Sequence, residues 1–242
     1  MSGAGARLER RARDAALRAL FEIKTVVAEY PGLAIPVARR RHGVPVGPNT
    51  DVVIEGFPRT GTSFAVAAFN RAQARPLDVA CHVHAPAQVI AAARRRLPAL
   101  VVVREPEDTV LSFVIRNPHL SIAQALRGYL RFYAPLLRYR AGFVPADFGE
   151  VTGDFGRVTS RLNERFGTAF GEFDHTEENV RSVFEEIEGD YRARVTGEAL
   201  ERSVARPSGL RAGLKERLRG DYGEPGLAVL RDRAERVYRS FG

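Results

Sequence analysis

The chain has one cysteine, two lysines and no apolar run of the roughly 20 residues that a helix needs to cross a bilayer. Each shortage removes a class of explanation. Cys81 alone forms no internal disulfide, and no basic start leads into an apolar run with a small-residue cleavage site, so a reducing, cytoplasmic setting is expected. No transmembrane segment is expected, while attachment to a membrane surface stays open. Lys24 and Lys215 are the two lysines, so arginine supplies nearly all of the 37 basic residues and the formal charge of +8. Basic runs of three occur only at 39–41 and 94–96, and no aromatic-basic repeat accompanies them. A nucleic-acid partner is therefore not expected, whereas a small polyanion suits the charge.

What is present reads as one domain with a single substantial core, since 242 residues need no division. Residues 1–50 hold an N-terminal helix and an irregular segment. In "RLERRARDAALRALFEIKTVVAEY" the residues Leu8, Ala12, Ala15, Ala16, Ala19, Leu20 and Ile23 recur at helical spacing, which predicts an amphipathic helix packed on the core, with a membrane-surface or partner helix as the alternative. Proline and glycine then break regular structure repeatedly through residue 50. Residues 51–170 alternate between short apolar runs ("DVVIEGFP", "LDVACHVHAP", "ALVVVREP", "GFVPADFGEV") and helical segments, one of them a long helix over "IAQALRGYLRFYAPLLRYR". The fold class that follows is α/β: a three-layer α/β/α arrangement with a central parallel sheet, like that of P-loop nucleotide hydrolases. Residues 171–242 read as helical, with a possible lid. Tyr129, Phe132 and Tyr133 read as core, and His175 as a residue that caps or packs at a helix start.

The loop "GFPRTGTS" joins a predicted strand to a predicted helix, the setting in which backbone N–H groups and a helix N-terminus face an anion. Its spacing is that of a phosphate loop, but Thr62 stands where such loops carry lysine. Arg59 inside the turn supplies a positive fork instead, with Thr60, Thr62 and Ser63 as hydroxyl donors. In "VVVREPEDTVLSF", Arg104 ends a strand, Pro106 suits a first helical turn, and Ser112 follows eight residues after Arg104.

These two motifs, in this order, resemble the sulfotransferase superfamily, over roughly residues 51–116. The resemblance implies that 3′-phosphoadenosine 5′-phosphosulfate is the sulfuryl donor and that no metal is needed. It assigns Pro58, Arg59, Thr60, Gly61, Thr62 and Ser63 to the 5′-phosphosulfate, and Arg104 with Ser112 to the 3′-phosphate. The basic stretch "ARPSGLRAGLKERL" falls where family members close a loop over the nucleotide, which nominates Arg206, Ser208, Arg211 and Lys215. The acceptor is a hydroxyl or amine of a small molecule, glycan or lipid; no residue pattern identifies it, and none reads the oligomeric state. A P-loop kinase or hydrolase, weakened by Thr62, and an inactive nucleotide-binding relative are the alternatives.

Sulfuryl transfer also calls for a group that takes the acceptor's proton. His82 and then His84, in "CHVH", are the candidates, with Arg59 stabilising the leaving oxygen. Strand alternation predicts that both histidines share one face. Glu55, just ahead of the loop, either touches substrate or pairs with an arginine.

Overall fold

The computed structural model describes residues 3–38, 43–203 and 209–242. In chain order the elements begin with α1 (Gly3–Val27), α2 (Pro31–Ala38), β1 (Val52–Gly56), α3 (Thr62–Ala72), β2 (Val79–Cys81), α4 (Pro86–Arg95), β3 (Ala99–Val103), α5 (Pro106–Arg116) and α6 (Ile122–Tyr133). They continue with β4 (Val144–Asp147), α7 (Phe148–Gly153), α8 (Phe155–Phe166), α9 (Glu177–Arg192), α10 (Gly197–Ser203), α11 (Gly209–Gly223) and α12 (Ala228–Arg239). Among the described residues the strands form one parallel sheet ordered β2-β1-β3-β4.

Helices cover both faces of this sheet, so its central strands are continuous apolar runs whose side chains alternate between two cores. Val53, Val101 and Val103 enter a core with α4, α5, α6 and α12, while Ile54, Leu100 and Val102 enter one with α3, α8 and α9. The protein is thus a three-layer α/β/α molecule, as its sequence predicts.

The strand order reverses direction between β1 and β3. From β1 the chain leaves through α3 towards β2, and from neighbouring β3 it leaves through α5 and α6 towards β4 on the other side. The two connections diverge at the carboxyl ends of β1 and β3, the place where open α/β sheets generally bind ligands. The loops after these strands carry Arg59 and Arg104. A buried hydroxyl holds the first loop against β3: Tyr133 donates to the Val102 carbonyl at 2.7 Å and accepts the Phe57 N–H at 3.2 Å.

Several elements differ from the sequence reading. The apolar stripe of α1 does not pack on the core: Leu8, Leu20 and Ile23 are exposed, and the helix docks through Phe21, Glu22, Thr25 and Ala28. Residues 31–38 form α2 despite Pro36. The long helix expected over 122–140 stops at Tyr133, ahead of Pro135, and continues to Gly142 as a tighter 3-10 segment kinked at Tyr139. By contrast α8 ends at Gly167 in the left-handed conformation, the stop its sequence announces.

Removing the Tyr133 hydroxyl leaves a carbonyl and an N–H buried without a partner. Tyr133→Phe is therefore expected to cost about 1–3 kcal/mol in equilibrium urea unfolding. An unchanged midpoint would show that the loop is held by other contacts.

Candidate functional site

The loop between β1 and α3 is shaped from within. Thr60 is fully buried, and its hydroxyl donates to the Phe57 carbonyl at 2.8 Å and lies 3.3 Å from the Thr62 hydroxyl. These hydroxyls brace the turn, which leaves anion contact at Thr60 to its backbone. A β-carbon on Gly56 would come within 2.5 Å of Thr60 Oγ1 and 2.7 Å of the Val102 carbonyl, so the strand end must be glycine. Gly61 caps α3 with φ 95° and no side-chain acceptor, so the first N–H groups of that helix have no side-chain cap. Arg59 itself adopts φ 78°, a left-handed conformation that costs a non-glycine residue about 1–2 kcal/mol. Pro58 and Ser63 are half-buried in the same turn.

The turn aims the Arg59 side chain at the second motif. Its Nε donates to Ser112 Oγ at 3.0 Å, and its Nη1 donates to the carbonyl of Ser203, the last residue of α10, at 2.8 Å. Arg211, from α11, donates to the same Ser112 oxygen at 2.8 Å. Arg104 lies over the Phe148 ring, 4.0 Å from its centroid, donates to the Arg59 carbonyl at 3.3 Å and pairs with Asp108 at 2.8 Å. Lys215 also reaches Asp108.

Arg59, Arg104, Ser112, Arg211 and Lys215 therefore meet in one cluster. Arg59 and Ser112, assigned by the resemblance to opposite ends of a ligand, are in direct contact. Arg206 and Ser208 lie outside the described residues.

The cluster is strongly electropositive. Two guanidinium charges sharing one neutral hydroxyl repel by on the order of 2–3 kcal/mol at an effective dielectric of about 20. Burial, with Arg211, Arg116 and Arg104 nearby, pulls the Arg59 pKa down to about 9. Burial and the Arg104 charge lower that of Arg211 as well. An oxyanion placed among these groups removes the repulsion and restores the usual arginine range.

The second half of the site lies across the end of β1. The strand β2 stops at Cys81, and His82 and His84 turn out of it with φ 59° and 52°. The alternation argument therefore does not apply, but the rings still sit 5.8 Å apart, centroid to centroid. Glu55 holds this turn. It is fully buried and accepts the N–H of Val83 at 2.7 Å, that of His84 at 3.2 Å and the Gln88 amide at 3.0 Å. It neither faces an open acceptor nor pairs with an arginine, so both sequence readings of Glu55 give way to an internal brace.

His84 Nδ1 lies 2.8 Å from the Gly56 carbonyl. A carbonyl only accepts, so Nδ1 carries the proton and Nε2 presents its lone pair. With 27% of its side chain accessible, His84 can still meet a substrate. Burial, with His82, Lys24 and Arg116 adding positive charge, lowers its pKa to about 4. Burial and Arg194 lower that of His82.

Sequence reading missed Arg116, whose charge acts on both Arg59 and His84 and whose guanidinium faces the Tyr191 ring. Its position four residues after Ser112 on α5, one turn along the same face, was an available signal. His175, by contrast, packs against Phe64 and Phe173 and accepts the Phe155 N–H at 3.2 Å, as a packing residue should.

Burial pushes the Glu55 pKa up to about 8, opposed by its N–H donors. A raised folded-state pKa gives stability that is complete below the ordinary carboxyl value and is lost as pH rises through 8. Wild-type melting temperature should accordingly fall between pH 5 and pH 8 relative to that of Glu55→Gln, measured by calorimetry in matched buffers. Parallel pH curves would contradict the assignment.

No family model and no curated protein sequence matches the chain. Among solved structures it is similar to the crystal structure of mouse sulfotransferase SULT7A1 complexed with PAP, with a TM-score of 0.44 and 14% sequence identity over 78% of this chain and 91% of that one.

Proposed function

We propose that the protein moves a sulfuryl group from 3′-phosphoadenosine 5′-phosphosulfate to a hydroxyl or amine. The observation that carries this reading is the meeting of Arg59 and Arg211 on Ser112, beside Arg104, at the mouth of a phosphate-type loop with no lysine. Such a loop needs cations from elsewhere to hold a polyanion, and a guanidinium fork matches phosphate and sulfate oxygens two at a time.

In this reading the capless start of α3, the backbone of Thr60, Gly61 and Thr62, and the Ser63 hydroxyl receive the 5′-phosphosulfate. Arg104, Ser112 and Arg211 receive the 3′-phosphate. Arg59 stands between the two and must release the Ser112 hydroxyl when the donor enters. The acceptor's oxygen or nitrogen attacks sulfur and loses its proton to His84 Nε2. The bond from sulfur to the bridging oxygen breaks, and Arg59 and the loop N–H groups stabilise the charge left on that oxygen. His82 and His84 remain the two candidate bases; His84 is taken first because its Nδ1 bonds the Gly56 carbonyl and leaves Nε2 to accept a proton. His82 lies beside it as a second contact for the acceptor. Glu55 positions both through the backbone of their turn.

Adenosine 3′,5′-bisphosphate should bind and raise the melting temperature, and Arg59→Ala or Arg104→Ala should abolish that rise. The affinity should weaken as pH increases through 9, because Arg59 then loses its charge in the free protein. Once an acceptor is found, His84→Ala should lower kcat by about 10²–10⁴ while leaving bisphosphate affinity within about twofold. No bisphosphate binding at millimolar concentration contradicts the donor assignment, and an unchanged kcat contradicts the role of His84.

A further inference from the structure

The N-terminal helices carry an apolar surface that the fold leaves open. Leu20, Ile23 and Val26 on α1, Tyr30 in the turn, and Leu33 and Val37 on α2 are each 49–63% exposed and recur three or four residues apart. Leu20, Ile23 and Val26 line one face of α1, and Leu33 and Val37 one face of α2, with Tyr30 between the helices. Six exposed large apolar side chains within 18 residues are the clustering that marks an interaction surface rather than scattered exposure.

The opposite face of α1 already satisfies the body of the protein. The Phe21 ring lies 5.7 Å from that of Phe113, Glu22 pairs with Arg127 and Arg131, Thr25 receives Arg131, and Ala28 is buried. The outer stripe therefore contributes nothing to holding the helix in place.

Charge identifies what covers it. Arg10, Arg11 and Arg13 are exposed on the same helix, whereas Glu9 is its one exposed acid among the described residues. A second copy of the chain laid against this stripe in parallel would bring two arginine-rich halves together. Laid antiparallel, it would set those arginines largely against the aliphatic side chains of Leu20, Ile23 and Val26, with Glu29 as a carboxylate beside them. An anionic bilayer meets both demands: acyl chains take Leu20, Ile23, Tyr30 and Leu33, and the arginines extend their stems outward to headgroup phosphates.

We infer that the α1–α2 face docks reversibly on the surface of anionic membranes. The docking is independent of the transfer reaction proposed above. The alanines at 12, 15, 16 and 19 keep the apolar stripe shallow towards the N-terminus, so electrostatic attraction carries much of the binding, which weakens in salt.

The test is co-sedimentation of the full chain with vesicles of phosphatidylcholine containing about one-third phosphatidylserine, compared with pure phosphatidylcholine. Wild type should bind the anionic vesicles about tenfold or more tightly than the neutral ones and release from them in high salt. The double variant Ile23→Glu/Leu33→Glu, and separately Arg10→Glu/Arg13→Glu, should each lose about tenfold or more in affinity. All of these positions are exposed, so melting temperature and bisphosphate binding should stay unchanged and report that the variants fold. Wild type remaining in the supernatant with anionic vesicles overturns the inference. So does binding insensitive to both variants, or a wild-type dimer in sedimentation equilibrium that Ile23→Glu/Leu33→Glu dissociates, which would give the face to a second copy.

Discussion

Two guanidinium groups converge on one serine hydroxyl, and the architecture of the site follows from keeping them there. Arg59 and Arg211 both donate to Ser112 while Arg104 and Arg116 raise the local positive potential. Such an arrangement does not stabilise the fold by itself, because like charges repel and burial removes their hydration. The surrounding structure imposes it. The turn after β1 directs Arg59, Asp108 anchors Arg104 and Lys215, and α10 and α11 close from the other side through the Ser203 carbonyl and Arg211. In the proposed reading, an anion bound here would convert that repulsion into binding energy.

Backbone strain is concentrated in the same place. Among the described residues, and apart from Arg96 at the end of α4, the non-glycine residues with positive φ are Arg59, His82 and His84. Each is fixed by a buried polar group that is not itself exposed to a ligand: Tyr133 grips the first loop, and Glu55 grips the N–H groups of the second. Strain at a few residues, over-determined by the packing around them, is how a rigid scaffold holds side chains in orientations they would not otherwise keep.

Much of this was readable in the sequence, for physical reasons. Strands buried on both faces appear as unbroken apolar runs, so "DVVIEG" and "ALVVV" declare themselves, and a glycine-bearing turn or a proline at a first helical position marks what comes next. Arg104 and Ser112 were legible because a strand end and two helical turns fix their relation. Contacts between segments distant in the chain were not legible. Nothing local reveals that Arg59 reaches Ser112, or that Glu55 shortens β2 by capturing the N–H groups of Val83 and His84. The docking face of α1 was misread for a related reason: both of its faces repeat at helical spacing, and ion pairs from Glu22 to Arg127 and Arg131 select the less apolar one.

The central claim is that the arginine cluster and the lysine-free loop hold one bisphosphate-bearing ligand between them. A crystal structure of the protein with adenosine 3′,5′-bisphosphate tests it most directly. The account predicts one phosphate at the first turn of α3 and the other among Arg104, Ser112 and Arg211, with Arg59 swung off the serine. A bisphosphate bound elsewhere, with the hydrogen bond from Arg59 to Ser112 intact, would contradict it.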